Sequence, residues 1–123
     1  MTQIKTVLIV DDSRVSRMMA RQYIAGLHAD WIVEEAGTGE ESLLKARAAP
    51  PDLILMDVNM PGMGGIAAAE RLRQDYPDVP ISLLTANVQT ATRERAALLG
   101  LGFVEKPITE ARIAQLLATL KAA

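Results

Sequence analysis

The segment TVLIVDDS at residues 6–13 contains a short apolar run that ends at two acidic residues and a serine. Nearly continuous apolar runs of this length are typical of strands that are covered on both faces of a sheet. Four further short runs, rich in β-branched residues or leucine, follow along the chain, and stretches of helical length lie between them. Strands are predicted at 6–10, 31–36, 53–56, 81–85 and 102–105, and helices at 13–27, 39–48, 64–75, 88–99 and 109–121.

The alternation of strands and helices predicts an α/β fold, namely a doubly wound, five-stranded parallel sheet with helices on both faces. Thr38 and Glu41 have the spacing of a capping box, in which each side chain accepts a hydrogen bond from the other residue's backbone N–H. The last predicted helix has an apolar stripe of the spacing that faces a core, formed by Ile113, Leu116, Leu117 and Leu120.

Composition argues against several classes of function. The 123 residues include 13 Lys and Arg against 15 Asp and Glu, and a net charge of −2 offers no basic stripe for nucleic acid. The absence of cysteine excludes disulfides and cysteine chemistry, and the single His28 argues against histidine clusters and Ser-His-Asp triads. No apolar run reaches the length of a membrane span, and no signal peptide is recognisable. We therefore expect one domain over residues 1–123, a cytoplasmic monomer that binds neither nucleic acid nor membrane.

Polar side chains stand at the ends of four predicted strands. Asp11 and Asp12 follow the first strand and Asp57 the third, while Thr85 ends the fourth and Lys106 follows the fifth. Because the carboxyl ends of parallel strands meet at one edge of a sheet, we expect these side chains to lie together. Clustered carboxylates repel one another and favour a hard cation such as Mg²⁺. An aspartate nucleophile beside a lysine and a threonine hydroxyl favours phosphoryl transfer.

Each of these residues taken alone has a simpler structural interpretation. Asp11 and Asp12 could form a turn with a helix N-cap, and Asp57 could be a loop acid. Thr85 could cap the following helix, and Lys106 could be a surface lysine. Their joint occurrence, each at the same end of a different element, favours the functional interpretation.

Four motifs make the chain resemble the receiver domain of bacterial response regulators over essentially its whole length. They are VDDS at 10–13, LMDVNMPGM at 55–63, LTA at 84–86 and GFVEKP at 102–107. The resemblance implies the strand order 2-1-3-4-5. Because the predicted fifth helix lies close to the last residue, the chain is similar to a stand-alone receiver, as in chemotaxis regulators of the CheY type.

The resemblance also implies a role for each matching residue. Asp57 would accept a phosphoryl group from the phosphohistidine of a sensor histidine kinase. Asp12 and Asp57 would bind Mg²⁺ through their carboxylates, Asp11 would act through a metal-bound water, and Asn59 would contribute its backbone carbonyl. Lys106 would pair with Asp57 before phosphorylation and with the phosphoryl group afterwards.

A switch is implied at two further positions. Thr85 would bond a phosphoryl oxygen, and Phe103 would move inward behind it. The face formed by the fourth helix, fifth strand and fifth helix would then change and control a protein partner. Phe103 stands where chemotaxis regulators often have tyrosine, so any hydroxyl contact to a target is lost. The bond between Lys106 and Pro107 is implied to be cis.

Three other positions affect which properties of the family are expected in this chain. Gly64 stands where aspartate is frequent, which should mainly affect the start of the third helix. Asn59 and Asn87 lie two residues after Asp57 and Thr85, and their short polar side chains are expected to permit hydrolysis of the phosphoryl group.

Alternatives to the phosphoacceptor switch come from other functional classes. A small phosphohydrolase with an aspartate nucleophile usually has a second aspartate as general acid at the position of Asn59, which cannot do acid–base work. A pseudo-receiver that binds a partner without phosphorylation would not need the complete acidic and basic set. A receiver taken from a longer chain is compatible with the sequence. We expect the chain to catalyse only its own phosphorylation and dephosphorylation, and therefore not to be an enzyme acting on external substrates.

The remaining side chains of interest have structural interpretations. His28 is expected to face solvent or to cap the first helix, and Trp31 to be half-buried away from the carboxylates. Core and loop packing is expected for five methionines, namely Met18, Met19, Met56, Met60 and Met63.

Overall fold

The computed structural model of the chain describes residues 6–86 and 89–122. Five strands and five helices alternate along the described residues. In chain order they are β1 (Thr6–Val10), α1 (Arg14–Leu27), β2 (Ile32–Ala36), α2 (Gly39–Ala48), β3 (Leu53–Asp57), α3 (Gly65–Asp75), β4 (Ile81–Thr85), α4 (Thr90–Leu99), β5 (Gly102–Glu105) and α5 (Glu110–Ala122).

The strands form one parallel sheet in the order β2-β1-β3-β4-β5. At the carboxyl end, Val10 of β1 lies opposite Ala36 of β2 and Met56 of β3. Asp57 lies opposite Leu84 of β4 in the next ladder. The predicted fold class, strand order and parallel pairing are therefore confirmed.

The core has two layers because successive side chains of a strand point to opposite faces of the sheet. On one face, Leu8, Val10 and Met56 pack against Ala46, Ala68, Ala69, Leu72 and Ala96 from α2, α3 and α4. On the other face, Val7, Ile9 and Leu55 pack against Ala20, Ile24, Ile113 and Leu117 from α1 and α5. The predicted stripe of α5 therefore faces the core at Ile113, Leu116 and Leu117, while the side chain of Leu120 lies outside the described part of the chain.

Helix and strand boundaries differ from the predicted ones by one or two residues, for reasons visible in the backbone. β3 extends to Asp57 because that residue still pairs with Leu84 in the β3–β4 ladder. α1 begins at Arg14 because Ser13 is its N-cap, with the hydroxyl accepting a hydrogen bond from the N–H of Ser16. α4 begins at Thr90, and residue 88, where we predicted its start, lies outside the described residues.

The predicted capping box of α2 is only half formed. The Thr38 hydroxyl accepts a hydrogen bond from the N–H of Glu41 at 3.0 Å, as expected. The Glu41 carboxylate accepts from the N–H of Gly37 at 2.6 Å, instead of from Thr38. The side chain therefore reaches past the cap and closes the turn that leads from β2 into α2.

The methionines do not all pack as predicted. Met56 is fully buried, and Met60 and Met63 pack against the core, but Met18 and Met19 on α1 are 50% and 38% exposed. The prediction was wrong for these two residues because the core-facing stripe of α1 is formed by Ala20 and Ile24 instead.

The region after α1 agrees with the predictions. His28 is the C-cap of α1, and its ring stacks on Trp31 with the ring centroids 3.9 Å apart. Trp31 is half-buried beside the α1–α5 layer. The described part of the chain contains no helix that combines the length and the apolar character of a membrane span.

Candidate functional site

The carboxyl ends of four strands bring the predicted site residues to one edge of the sheet. Asp57 and Thr85 are the last residues of β3 and β4, while Asp11 and Lys106 directly follow β1 and β5. Backbone hydrogen bonds continue beyond the strand ends, from Asp11 N–H to the Ala36 carbonyl (3.1 Å) and from Lys106 N–H to the Thr85 carbonyl (2.7 Å). The sheet itself therefore sets the spacing of these side chains.

Three carboxylates form a compact acidic cluster at this edge. Asp11, Asp12 and Asp57 each offer a carboxylate oxygen, and the three oxygens lie within 4.8 Å of one another. Asp11 and Asp57 are 1% and 3% exposed, whereas Asp12 is exposed. The cluster is therefore buried on the sheet side and open to solvent at Asp12.

Lys106 contacts two of the three acids. Its Nζ lies 3.0 Å from Asp11 Oδ2 and 3.3 Å from Asp57 Oδ1. The contact to Asp57 is the one that the resemblance implied, while the shorter contact to Asp11 was not anticipated. The peptide bond between Lys106 and Pro107 is cis, as the resemblance implied.

The charges in the site do not balance. Burial and the neighbouring Asp11 carboxylate raise the pKa of Asp57, although Lys106 and the Asn59 N–H act in the opposite direction. Burial lowers the pKa of Lys106, but hydrogen bonds and attraction from Asp11 and Asp57 outweigh it, so this pKa is raised. One ammonium group thus faces three carboxylates, and the site favours a further cation.

The donor set fits Mg²⁺. Carboxylate oxygens are the hard ligands that this ion prefers, and it is usually bound through one or two carboxylates together with water and a phosphate group. The exposed Asp12 gives a solvated ion access to the cluster. Asn59 lies beside the cluster, where its N–H donates to Asp57 Oδ1 at 3.3 Å.

The loop after Asp57 depends on a glycine that the sequence analysis overlooked. A Cβ at Gly65 would lie 1.8 Å from the carbonyl oxygen of Asp57, which is backbone and cannot move aside. Gly64 precedes it as the N-cap of α3 with φ 79° and no side-chain capping hydrogen bond. The Gly64–Gly65 pair was the available signal, because adjacent glycines mark a turn or a close backbone approach.

The two implied switch residues lie on the β4 and β5 side of the site. Thr85 is 2% exposed at the end of β4, and Phe103 is half-buried in β5 against the layer of α2, α3 and α4. The guanidinium carbon of Arg93 on α4 lies 5.8 Å from the centre of the Phe103 ring, a cation–π distance. Asn87, which was expected to influence hydrolysis, lies outside the described residues.

A group of charged residues behind Asp11 was also missed. Arg17 Nη1 donates to the Asp11 carbonyl at 2.6 Å, and Arg17 Nε donates to Glu35 Oε1 at 2.9 Å. Arg21 Nε donates to the other Glu35 oxygen at 2.8 Å. Arg17 and Arg21 are one helical turn apart, which could have indicated a shared partner, but the partner on β2 could not be read from local spacing.

Comparison with known proteins matches residues 7–118 to the response regulator receiver domain. Response regulator GacA of Pseudomonas viridiflava is 42% identical over 79 residues, which are 64% of this chain and 37% of GacA. Protein-glutamate methylesterase/protein-glutamine glutaminase 1 of Methanosarcina acetivorans is 37% identical over 98 residues, which are 80% of this chain and 28% of that protein. The chain therefore spans well under half of the length of these two relatives.

Among solved structures, the chemotaxis protein CheY4 of Vibrio cholerae is similar at a TM-score of 0.86 and 32% identity. The similarity covers 95% of this chain and 98% of that chain. This chain therefore shares its fold with that chemotaxis protein over nearly the whole length of both chains.

Proposed function

Because this chain belongs to the response regulator receiver domain family, we propose that it is a phosphoacceptor signalling switch in which Asp57 takes up the phosphoryl group. The observation that carries the assignment is the buried Asp57 carboxylate at the end of β3, which lies within the acidic cluster and contacts Lys106. The phosphoryl donor would be a phosphohistidine of a sensor histidine kinase. The receiver domain would extend over residues 1–123.

The hydrogen bonds around Asp57 indicate which oxygen reacts. Within the described residues, both the Lys106 ammonium and the Asn59 N–H contact Oδ1. Oδ2 is therefore the oxygen that would attack phosphorus, and the bond between phosphorus and the donor imidazole nitrogen would break. The product is an acyl phosphate on Asp57, and the imidazole leaves with the electron pair of the broken bond.

Several residues would lower the barrier to this transfer. We assign direct cation binding to Asp12 and Asp57, water-mediated binding to Asp11 and a backbone carbonyl ligand to Asn59. A bound Mg²⁺ would neutralise the clustered carboxylates and the phosphoryl oxygens. Lys106, already between Asp11 and Asp57, would add an ammonium group that bonds a phosphoryl oxygen.

The acyl phosphate would act on packing through local charge. It adds acceptor oxygens and negative charge where Thr85 ends β4. The Thr85 hydroxyl would bond one of these oxygens, and Phe103 would fill the space behind it. The face formed by α4, β5 and α5 would then favour or reject a protein partner. The chain would act in the cytoplasm and would catalyse only its own phosphorylation and dephosphorylation, since Asn59 offers no general acid for an external substrate.

The first test is intact mass spectrometry after incubation with acetyl phosphate, with and without Mg²⁺, followed by an acid quench. We expect a gain of one phosphoryl group that requires Mg²⁺ and is lost in Asp57→Asn. Asp78→Asn is the matched control, because it removes an exposed carboxylate outside the acidic cluster and should leave uptake unchanged. A phosphoryl gain that persists in Asp57→Asn would refute the acceptor assignment.

Rapid hydrolysis is addressed by a second measurement. Beryllofluoride forms a stable analogue of the acyl phosphate, so its binding reports the site even when the phosphoryl group is short-lived. We expect Mg²⁺-dependent changes in the amide NMR signals near Asp57 and Thr85 on addition of beryllofluoride. The absence of both phosphoryl uptake and beryllofluoride binding would favour the pseudo-receiver instead.

A further inference from the structure

The turn between β1 and α1 contains two of the three clustered carboxylates. Asp11 is held by its own side chain, whose Oδ1 accepts from the Ser13 N–H at 2.9 Å and whose Oδ2 pairs with Lys106. Asp12 is exposed, and within residues 6–86 and 89–122 no group donates a hydrogen bond to its carboxylate. The position of the Asp12 carboxylate is therefore set by the backbone that bears it.

Arg17 holds this backbone from the first turn of α1. Its Nη1 donates to the carbonyl oxygen of Asp11 at 2.6 Å, and a charged donor makes this a strong hydrogen bond. The peptide unit that joins Asp11 to Asp12 is planar, so holding its oxygen also sets the direction in which Asp12 leaves the turn. Arg17 is thus linked to a cluster acid without entering the cluster itself.

Glu35 on β2 holds Arg17 in turn. Its Oε1 accepts from Arg17 Nε at 2.9 Å, while Oε2 accepts from Arg21 Nε at 2.8 Å. The Lys45 ammonium donates to the backbone carbonyl of Glu35, which adds a contact from α2. Burial raises the pKa of Glu35, but the hydrogen bonds from Arg21 and Arg17 outweigh it, so the pKa lies below its usual value and the carboxylate stays charged.

We propose that Arg17 is a positioning residue for cation binding, which orients the peptide between Asp11 and Asp12 so that Asp12 faces the acidic cluster. Glu35 fixes the guanidinium group that does so. The inference rests on the proposed function, since it assumes that Mg²⁺ binds to Asp12. Groups behind metal ligands commonly change metal affinity 10- to 100-fold when they are removed.

Arg21 supplies a matched control. It bonds the same Glu35 carboxylate and also donates to the Val33 carbonyl at 3.0 Å, but among the described contacts it has none to Asp11. Replacing either arginine by methionine removes one guanidinium group from Glu35 and keeps an unbranched side chain on α1. Only the Arg17 variant removes the hydrogen bond to the carbonyl of Asp11.

The experiment measures Mg²⁺ dissociation constants by isothermal titration calorimetry for the wild type, Arg17→Met and Arg21→Met. We expect Arg17→Met to weaken Mg²⁺ binding about tenfold and Arg21→Met to change it less than about twofold. Circular dichroism in Mg²⁺-free buffer checks that the variants are folded. If Arg17→Met does not fold, Arg17→Gln takes its place, because its shorter, neutral side chain cannot make the charged hydrogen bond to the carbonyl of Asp11.

The outcomes separate this inference from the proposed function. Equal weakening in both arginine variants would overturn it, because the effect would then belong to the Glu35 cluster as a whole. Unchanged affinity in a folded Arg17 variant would overturn it as well. Failure of the wild type to bind Mg²⁺ would instead count against the proposed function itself. In amide NMR spectra, the Mg²⁺-induced shifts of Asp12 and Ser13 should shrink in Arg17→Met and persist in Arg21→Met.

Discussion

The two flanks of the acidic cluster are held in different ways. The anchored flank, formed by residues 11–17 and β2, contains the N-cap Ser13, the buried Asp11 and the Arg17–Glu35 ion pair. The switch flank, formed by α4 and β5, has fewer such contacts. Gln89 caps α4 without a side-chain hydrogen bond, and Ala96 is the single buried residue among the ten of α4.

The difference has a physical consequence for a switch. Carboxylates that repel one another stay together only if their backbone is firmly held, and the anchored flank provides those hydrogen bonds. Segments with little buried apolar surface rearrange at a lower free-energy cost, and α4 of the switch flank is such a segment. Lys106 links the two flanks, because it follows β5 and bonds Asp11 of the anchored flank.

Removing the contacts of Lys106 to Asp11 and Asp57 should have the largest effect on the free energy of unfolding. Lys106→Met leaves Asp11 and Asp57 buried without their ammonium partner, and we expect a loss of about 2 kcal/mol in the free energy of unfolding at about pH 7.5 without Mg²⁺. Lys106 lowers the pKa of Asp57, so its removal raises that pKa further. The loss should therefore shrink as the pH falls and the carboxyl groups gain protons.

Urea denaturation at about pH 5 and about pH 7.5 measures this effect. Lys45→Met is a useful control, because Lys45 donates to the Glu35 carbonyl on the anchored flank and does not link the flanks. Equal stability of Lys106→Met and the wild type at the higher pH would show that the Lys106 contacts do not contribute to the free energy of unfolding.

The next prediction concerns Asp57→Asn, which should increase the free energy of unfolding. The pKa of Asp57 is raised in the folded protein, so this carboxyl contributes stability at low pH that is lost as the pH rises through its folded pKa. Asparagine cannot ionise, so Asp57→Asn does not lose stability as the pH rises. We therefore expect the free energy of unfolding of this variant to exceed that of the wild type by about 1 kcal/mol near neutral pH without Mg²⁺. The gain should vanish below the ordinary carboxyl pKa, and Mg²⁺ should stabilise the wild type more than the variant.

Thermal unfolding with and without Mg²⁺ tests this second prediction. A variant that is less stable than the wild type in Mg²⁺-free buffer at neutral pH would contradict it. That result would mean that Lys106 more than compensates for the repulsion between Asp11 and Asp57.

The substitution with the smallest expected effect, Arg93→Met, lies in the switch flank. Hydrogen exchange monitored by NMR should show amides of α4 exchanging at least about tenfold faster than those of α1. Arg93→Met removes the guanidinium group over Phe103 and should speed exchange in β5 about twofold, as a loss of about 0.5 kcal/mol implies. Arg71→Met, which breaks an exposed ion pair within α3, should leave β5 unchanged. Equal exchange in α1 and α4 would remove the distinction between the flanks.

Much of the fold was predictable because the signals are local. The apolar runs at 6–10 and 81–85 coincide with β1 and β4, since a strand buried on both faces has few polar residues. Helix starts were shifted where a cap stands outside the helix, as at Ser13. The site acids were found because polar residues after such strands must lie at the carboxyl edge of a parallel sheet.

Other features could not be read from local patterns. Met18 and Met19 were expected to take part in core or loop packing, but they are exposed on α1. The carboxylate of Glu41 bonds Gly37 instead of closing the predicted capping box. Which side of a helix is buried, and which of several nearby N–H groups a long side chain reaches, depend on how elements are placed against one another.

Local patterns were enough to place the strands and helices along the chain and to identify the polar groups at the strand ends, because hydrophobic patterning acts over a few residues. Two contacts emerge only when the elements are packed together. Lys106 lies nearer to Asp11 than to Asp57, and Arg17 reaches from α1 to the Asp11 carbonyl and Glu35. Lys106 and Asp11 are 95 residues apart in the chain, and their contact follows from sheet pairing. Contacts of this kind depend on the relative placement of whole elements, which no local pattern encodes.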